Sequence, residues 1–559
     1  MLPTLKRKVL VNTEASWAST GYGVIGRNLI KRLYESNKYH IAEFASFAVA
    51  GDPRDADVKW KLYCNEPTEG NQEDRKQYAS NEANKTGQWR FEKVLLDFQP
   101  DIVISFRDTT MEEYMMVTPL RKFFYQIISP SLDSEPQIDT WTGYHMQADC
   151  ILGYTNYALD VIKRESAGKA KIFKSAYIGV DQSIFRPLRD KNQLRQYFWI
   201  SPDANIIGMN GRNQIRKLFP ELIKAFALYL EKMSKLDQNI ANNSLLYLHT
   251  TLPDLRTWNI NKLLVEYGVE GKVLFTYNCA NQACGKYFPN RFQDVLTTCK
   301  FCGGEAILPR VSYNISSENL NQIYNLMDVY VQYANAGAIE MPLLEAASTG
   351  CNVMATDFAG QGDAVRRLGG IPINILRTLR CINVDADRAV PDDNHLADEL
   401  VKMFRRPRQI NLRNGLKISD TVSKKFSWDK NAEIWMQAID NAVLTDYQGK
   451  WSAQVPFNPP AQELPENIPL YFWVYNFLEL VLQEPQLKDT IFIDEMIKFA
   501  NSKLRGTGNN IISWGPDEVR KMLKNMFHNK VTVERIRTGQ AMPKEDWLDY
   551  AQIKELSNL

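Results

Sequence analysis

Asn205-Ile-Ile-Gly-Met-Asn-Gly-Arg-Asn-Gln-Ile-Arg-Lys217-Leu-Phe-Pro-Glu-Leu-Ile-Lys-Ala-Phe226 reads as a short apolar strand, a cationic turn and a helix. The strand Asn205–Met209 lacks the polar alternation of a half-exposed strand, as expected in a parallel sheet buried on both faces. The turn opens at Gly211 and carries Arg212, Arg216 and Lys217 before the helix Pro220–Leu230. Two or three cations at the mouth of a strand-to-helix turn suit a diphosphate: Arg212 can bind it in forked geometry and Lys217 as a point charge. Taken alone, the same segment also fits a solvated basic turn.

Working outward, the unit repeats. Leu245–His249, Val273–Tyr277, Val329–Tyr333 and Val353–Thr356 are further apolar strand candidates, each separated from the next by helical or polar sequence. Upstream, Val9–Val11, His40–Phe47, Asp101–Phe106, Phe123–Ile128 and Cys150–Tyr154 form an earlier series of the same kind. Two doubly wound α/β domains are implied, with a hinge near residue 190. Ligands of open α/β sheets sit at the carboxyl ends of the strands, so the site is expected in a cleft between the halves.

The expected division is an N-terminal Rossmann-like acceptor domain over 1–190 and a donor-binding domain over 191–430. A crossover helix over 431–447 and a linker with a helical extension over 448–559 follow. The linker assignment rests on the cluster Pro456, Pro459, Pro460, Pro465 and Pro469. In the extension, Pro516 opens a helix with Val519, Met522, Leu523, Met526 and Phe527 on one face and Arg520, Lys521, Lys524, Lys530, Arg535 and Arg537 around it. That pattern fits a docked helix, or a grip on a polyanion.

The composition constrains partners. At 559 residues and 44% apolar the chain can bury several cores, and 67 basic against 65 acidic residues leave no global field for nucleic acid or membrane. The apolar run Tyr471–Leu482 is interrupted by Asn476 and Glu479 and is far short of the roughly 20 residues that span a bilayer. The N-terminus has no apolar signal stretch, so a cytoplasmic location is expected, in a host cytoplasm if the chain is viral.

Four of the 8 cysteines form a motif derived from spacing alone: Cys279-x4-Cys284-Gly285 and Cys299-x2-Cys302-Gly303. Two close pairs, each followed by Gly where a tight knuckle needs φ > 0, match a four-thiolate zinc site. Four thiolates leave no position for water, so the zinc is expected to be structural and to staple an insertion over 278–308 that is too small to hold a core. Cys64, Cys150, Cys351 and Cys381 lie singly and read as core.

Two further segments complete the motif series. Ser19-Thr-Gly21-Tyr-Gly23 follows the first strand and precedes the helix Val24–Tyr34, where glycines let backbone N–H groups approach an anion. Met341-Pro-Leu-Leu-Glu345 through Gly350 starts a helix facing the cleft, with Glu345 able to accept hydrogen bonds from a ribose or sugar hydroxyl pair.

With these residues in view the chain resembles the retaining GT-B glycosyltransferases of the glycogen- and sucrose-synthase-like family, glycosyltransferase family 4-like. Gly211-Arg212 through Lys217 to Ala225-Phe226 matches the family's Gly-Arg-x4-Lys-x7-Ala-Phe spacing. Leu326–Val331 is similar to the strand before the donor site, and Met341–Glu345 with Gly350, Val353 and Ala355–Asp357 to the Glu-x7-Glu segment and its following strand. Phe426-Ser-Trp-Asp429 resembles the closing motif before the helix that crosses back. The resemblance covers about residues 8 to 445.

It implies that Arg212 and Lys217 bind the diphosphate of a nucleotide sugar, with UDP as the expected nucleotide, that Glu345 holds the ribose, and that the Gly21–Gly23 turn approaches from the opposite domain. It also implies front-face attack with retention. The leaving diphosphate oxygen then helps deprotonate the acceptor, and the cations stabilise its charge without a catalytic metal. Asp108 and Asp133, at strand ends facing the proposed cleft, are candidates to orient the acceptor hydroxyl.

The chain departs from the family twice. The first Glu of Glu-x7-Glu falls at Gly337, which fits either Glu340 as its stand-in one helical turn nearer or a donor sugar without the hydroxyl that this Glu grips. The His after strand Phe123–Ile128 is replaced by Ser129-Pro-Ser-Leu-Asp133-Ser-Glu135, so the donor sugar, a pentose included, stays open. Asp385-Ala-Asp387 is assigned no metal because so short a pattern is frequent by chance. His249, at a strand end, reads as core with a base pocket as its other use, and His40, His145, His395 and His528 show no ligand spacing.

The irregular motifs, zinc insertion and tail look like phage- and virus-encoded members. The expected function is therefore sugar transfer to a hydroxyl, on a glycan or on a hydroxymethylated base in viral DNA. The alternative is a catalytically lapsed nucleotide-sugar-binding or nucleic-acid-binding scaffold.

Overall fold

The computed structural model describes residues 6–444 except 119, 252–256, 294–295, 310–314 and 382–383, and beyond these only Leu470, Trp473, Asp517 and Arg520. The Pro-rich linker and the Tyr471–Leu482 run, save Trp473, lie outside the described residues, as do His528 and the basic-apolar helix after Pro516, save Asp517 and Arg520.

The first sheet contains β1 Lys8–Glu14, β2 His40–Val49, β3 Lys61–Glu66, β4 Ile102–Ser105, β5 Tyr125–Ile128, β6 Cys150–Gly153 and β7 Ile172–Ser175. All its pairings are parallel, in the order β3-β2-β1-β4-β5-β6-β7. Strands β3 and β7 were not anticipated because each is only partly buried and carries polar residues, so no apolar run marks it.

The second sheet contains β8 Asn205–Asn210, β9 Ser244–His249, β10 Val273–Cys279, β11 Tyr287–Arg291, β12 Leu296–Thr298, β13 Glu305–Ile307, β14 Val329–Gln332, β15 Asn352–Thr356 and β16 Ile371–Ile373. Its order is β12-β13-β10-β9-β8-β14-β15-β16, with β11 on β10. A separate antiparallel hairpin pairs β17 Ile375–Cys381 with β18 Ala386–Pro391.

The central strands are buried along nearly their whole length, which is why they read as continuous apolar runs. In each sheet the chain leaves a central strand in one direction and returns on the other side, so the order reverses between β1 and β4 and between β8 and β14. Such switch points open a crevice at the carboxyl ends of the strands, where the flanking loops diverge.

The cysteine insertion is not an isolated module. Strands β11 and β13 pair antiparallel with β10, and Tyr287, Phe288 and Ala306 enter the same core as the second sheet. The insertion, too small to hold a core of its own, extends the sheet beyond β10 and shares its buried aromatic surface.

The two sheets are tied together by side-chain contacts. Asp363, on the helix Ala359–Leu368, accepts from the Asn156 backbone at 2.8 Å and from the Tyr177 hydroxyl at 2.6 Å. The helix Trp428–Asn441, capped by Ser427, returns to the first sheet, where Asn431 donates to the Ala176 and Tyr177 carbonyls and Trp435 meets the Phe106 ring edge-on. Among the described residues no helix is long and apolar enough to cross a membrane.

Candidate active site

The turn after β8 and the helix after β14 flank the second switch point and bring distant residues together. Lys217 Nζ lies 2.7 Å from Glu340 Oε2, and Arg216 donates to Glu340 Oε1 at 3.0 Å. Glu340 immediately precedes the helix Met341–Ser348. Burial alone would raise its carboxyl, but the Lys217 and Arg216 charges hold it down at about 2. Burial draws Lys217 down to about 8 against the pull of Glu340. Beyond this ion pair, no hydrogen bond among the described residues uses the buried Lys217 ammonium. A donor-rich cation in that state favours an added anion.

Gly337 leaves space for the Glu340 side chain. A Cβ built on Gly337 would stand 2.7 Å from Glu340 Oε1, so the Glu340 carboxyl occupies the space a side chain at 337 would need. The geometry makes Gly337 and Glu340 mutually dependent.

Glu345 lies one turn further along the same helix, partly buried. Tyr324 donates to its Oε2 at 2.9 Å and Asn210, at the end of β8, donates to Tyr324 at 2.7 Å. Loss of solvent pushes the Glu345 carboxyl up to about 7, against the Tyr324 hydroxyl. Arg212 is brought less close: it stays exposed on the turn, while the cation contacting Glu340 beside Lys217 is Arg216. Its adjacency to Lys217 was visible in sequence, but its direction was not, because that depends on how the turn closes through the Lys217–Ala334 bridge.

From the first switch point come the β1 turn and the β4 loop. Thr20 caps the helix Gly21–Glu35 by accepting from the Gly23 N–H. That amide is therefore already bonded, and a Cβ on Gly23 would stand 2.6 Å from the Ala18 carbonyl oxygen, so close packing accounts for this glycine. Gly21 is open, with nothing within 4 Å of its Cβ position.

Tyr22 donates to Asp108 at 2.8 Å, and Ser131 lies near enough to favour the charged form of each. Asp108 remains open to solvent, yet protein crowded around it raises its carboxyl, with the Asp133 charge adding to the rise. Tyr22, Ser131 and Arg216 oppose that rise. Arg216 feels the Asp133 and Asp108 charges in turn, so the cation cluster of one sheet and the acids of the other act on one another. Asp133 is itself bound by Arg388 of β18 at 2.8 Å, a partner that no local pattern announces.

The other histidines and acids play supporting parts. His249 is buried, bonded to Thr276 at 2.8 Å and lowered to about 4 by burial, as a core residue is. Asp387 pairs with Arg380 at 3.2 Å.

Cys279, Cys284, Cys299 and Cys302 place their sulfurs within 4.8 Å of one another, with 3.5 Å between Cys279 and Cys302 and 4.0 Å between Cys284 and Cys299. A tetrahedron with metal–sulfur bonds of about 2.3 Å has edges of about 3.8 Å, so the four thiols fit one such ion. Gly285 and Gly303 take φ of +57° and +75°, the left-handed turn that a knuckle requires. This second knuckle also carries Phe301, 5.2 Å from the Trp199 ring and 5.5 Å from that of Tyr197.

No family of known sequences and no curated protein matches the chain. Solved structures do. A sucrose-phosphate synthase from Thermosynechococcus elongatus superposes with a TM-score of 0.55 at 15% identity, covering 78% of this chain and 100% of its own. A glycosyltransferase from Rickettsia africae gives 0.52 at 12%, and Anabaena HepE in complex with UDP and glucose gives 0.51 at 11%, each covering 78% of this chain and 100% of its own. At such identities the likeness establishes the fold: two Rossmann-like sheets in the GT-B arrangement.

Proposed function

We propose that the chain is a nucleotide-sugar-dependent glycosyltransferase that moves a sugar from a UDP-sugar to a hydroxyl with retention of configuration. The observation that carries this reading is the meeting of two switch points, one lined by Arg216, Lys217, Glu340 and Glu345, the other by Gly21, Tyr22 and Asp108. The UDP and glucose held by the Anabaena structure of the same fold support the donor class.

In this reading Lys217, Arg216 and the exposed Arg212 receive the diphosphate, and Glu345 accepts from the ribose hydroxyls. Glu340 replaces the absent carboxylate at position 337 and sets the charge and place of Lys217. The sugar–phosphate bond breaks as the acceptor oxygen bonds to the same face of the anomeric carbon. The acceptor proton passes to the departing phosphate oxygen, whose charge the cations stabilise. Asp108 and Asp133 orient the acceptor hydroxyl. No catalytic metal is required; Cys279, Cys284, Cys299 and Cys302 hold a structural zinc. The acceptor is a glycan or a hydroxymethylated base of phage or viral DNA, the protein acting in the cytoplasm of its host.

A panel of nucleotide sugars, assayed by mass spectrometry with and without acceptors, tests this. Turnover that falls at least about a hundredfold in Lys217→Ala and about tenfold in Arg212→Ala supports it. Tight binding without turnover on any acceptor instead indicates a lapsed scaffold, and salt-sensitive DNA affinity that survives Arg212→Ala indicates a nucleic-acid-binding protein.

A further inference from the structure

The hairpin β17–β18 connects the second sheet to the acid-bearing loop of the first. Arg388 reaches Asp133 Oδ2 at 2.8 Å, while Ser134 donates to the other oxygen at 2.9 Å. Beside this pair the Asp387 N–H donates to the Glu135 carbonyl at 2.8 Å. On its inner side β18 is anchored by the Ala389 N–H, 2.8 Å from the Asn335 carbonyl, and Asn335 in turn donates to the Arg216 carbonyl at 3.0 Å. A continuous bonded path thus runs from the cation turn, through β18, to Asp133.

The pair is not needed to join the sheets, since Asp363 and the helix Trp428–Asn441 already do so. It is half-shielded, with side-chain exposures of 16% for Arg388 and 31% for Asp133, so it is less screened than a surface pair. Its electrostatic effect lies inside the crevice: Asp133 acts on both Asp108 and Arg216. Without a counter-charge, Asp133 and Asp108 would repel each other on the acceptor side of the proposed site.

We infer that Arg388 is a positioning residue for the acceptor: it holds Asp133 at the crevice edge, so that the acceptor side of the site is completed only by a hairpin from the donor lobe. This rests on the transferase reading above and deepens it. The acceptor it fits is one whose hydroxyl is held between the Asp108 and Asp133 carboxylates.

The test uses the full chain with Arg388→Ala, Arg388→Lys and the reversed pair Arg388→Asp with Asp133→Arg. Each is followed by thermal melting, by UDP titration calorimetry and by separate donor and acceptor KM and kcat. Arg388→Ala is expected to keep UDP affinity while lowering kcat over acceptor KM by about tenfold or more. Arg388→Lys, which restores the charge on a shorter side chain, recovers part of the loss. The reversed pair regains the melting temperature of the wild type without regaining transfer, because an arginine cannot replace the carboxylate.

Recovery of transfer by the reversed pair would show a mere clasp and overturn the inference. So would an Arg388→Ala chain that transfers like wild type, or one whose UDP affinity falls as far as its transfer. A wild-type chain that binds no nucleotide sugar overturns the transferase reading and this role together.

Discussion

Lys217 and Glu340 meet as a buried ion pair at the second switch point, nitrogen to oxygen 2.7 Å, although 122 positions of sequence separate the strand turn from the helix start. Arg216 shares the same carboxylate, so the cluster carries one surplus positive charge. An anionic ligand entering here meets a preformed cation held in place by its own counter-ion, the arrangement expected where charge must be stabilised without reorganisation.

Removing Lys217 leaves Glu340 still paired with Arg216, whereas removing Glu340 leaves the buried Lys217 beside Arg216 with no counter-charge. Glu340→Ala is expected to lower the unfolding free energy by about 3 kcal/mol in urea titrations, while Lys217→Met with Glu340→Met together costs far less. Glu340 sits at about 2 in the fold, below its unfolded value, so its contribution is complete above the ordinary carboxylate range and is lost as pH falls towards 2. A Glu340→Ala protein as stable as wild type would contradict the pairing.

Gly337→Ala places a methyl group against Glu340 Oε1. The carboxylate must move, and with it Lys217 and Arg216. UDP affinity is expected to fall about tenfold, with a stability loss of about 1–3 kcal/mol. Isothermal titration and denaturation read the two effects. Unchanged values for both would mean that Glu340 is free to shift.

For Glu345 the folded carboxyl is raised to about 7 by desolvation. Its protonated form is favoured in the fold, so its penalty on stability appears as pH rises from the unfolded range through about 7. Glu345→Gln should therefore gain stability over wild type at pH 8 and lose that advantage at pH 5. In the proposed role the ionised form accepts the ribose hydroxyls, so UDP affinity should rise through the same interval. Affinity flat with pH in wild type would remove Glu345 from the ribose site.

Zinc should bind at one ion per chain, and Cys299→Ser should abolish it. Because Phe301 sits on the Cys299–Cys302 knuckle against Trp199, metal removal by a chelator is expected to change tryptophan emission while the second sheet persists through its shared core. Emission unaltered after complete removal of metal would separate the ion from this aromatic cluster.

The central strands could be read from sequence because burial on both faces leaves only apolar residues to choose from, as in Ile102–Ser105 and Val329–Gln332. The same logic failed for Lys61–Glu66, Ile172–Ser175 and the hairpin Ile375–Pro391, where exposure allows polar side chains and erases the pattern. Lys217, Glu340, Glu345 and the four cysteines were visible as types at defined spacings. Arg216 was visible only as a neighbour, and Tyr324 and Arg388 not at all.

By itself, then, the sequence determined the alternation of strand and helix, the cationic turn and the paired thiols, since each depends on neighbours within a few residues. Tertiary structure alone decided that Glu340 fills the space of Gly337, that Arg216 turns inward while Arg212 faces solvent, and that a hairpin carries Arg388 to Asp133. Those outcomes are set by distances between groups remote in the chain, and such distances exist only after the two sheets have closed on their shared core.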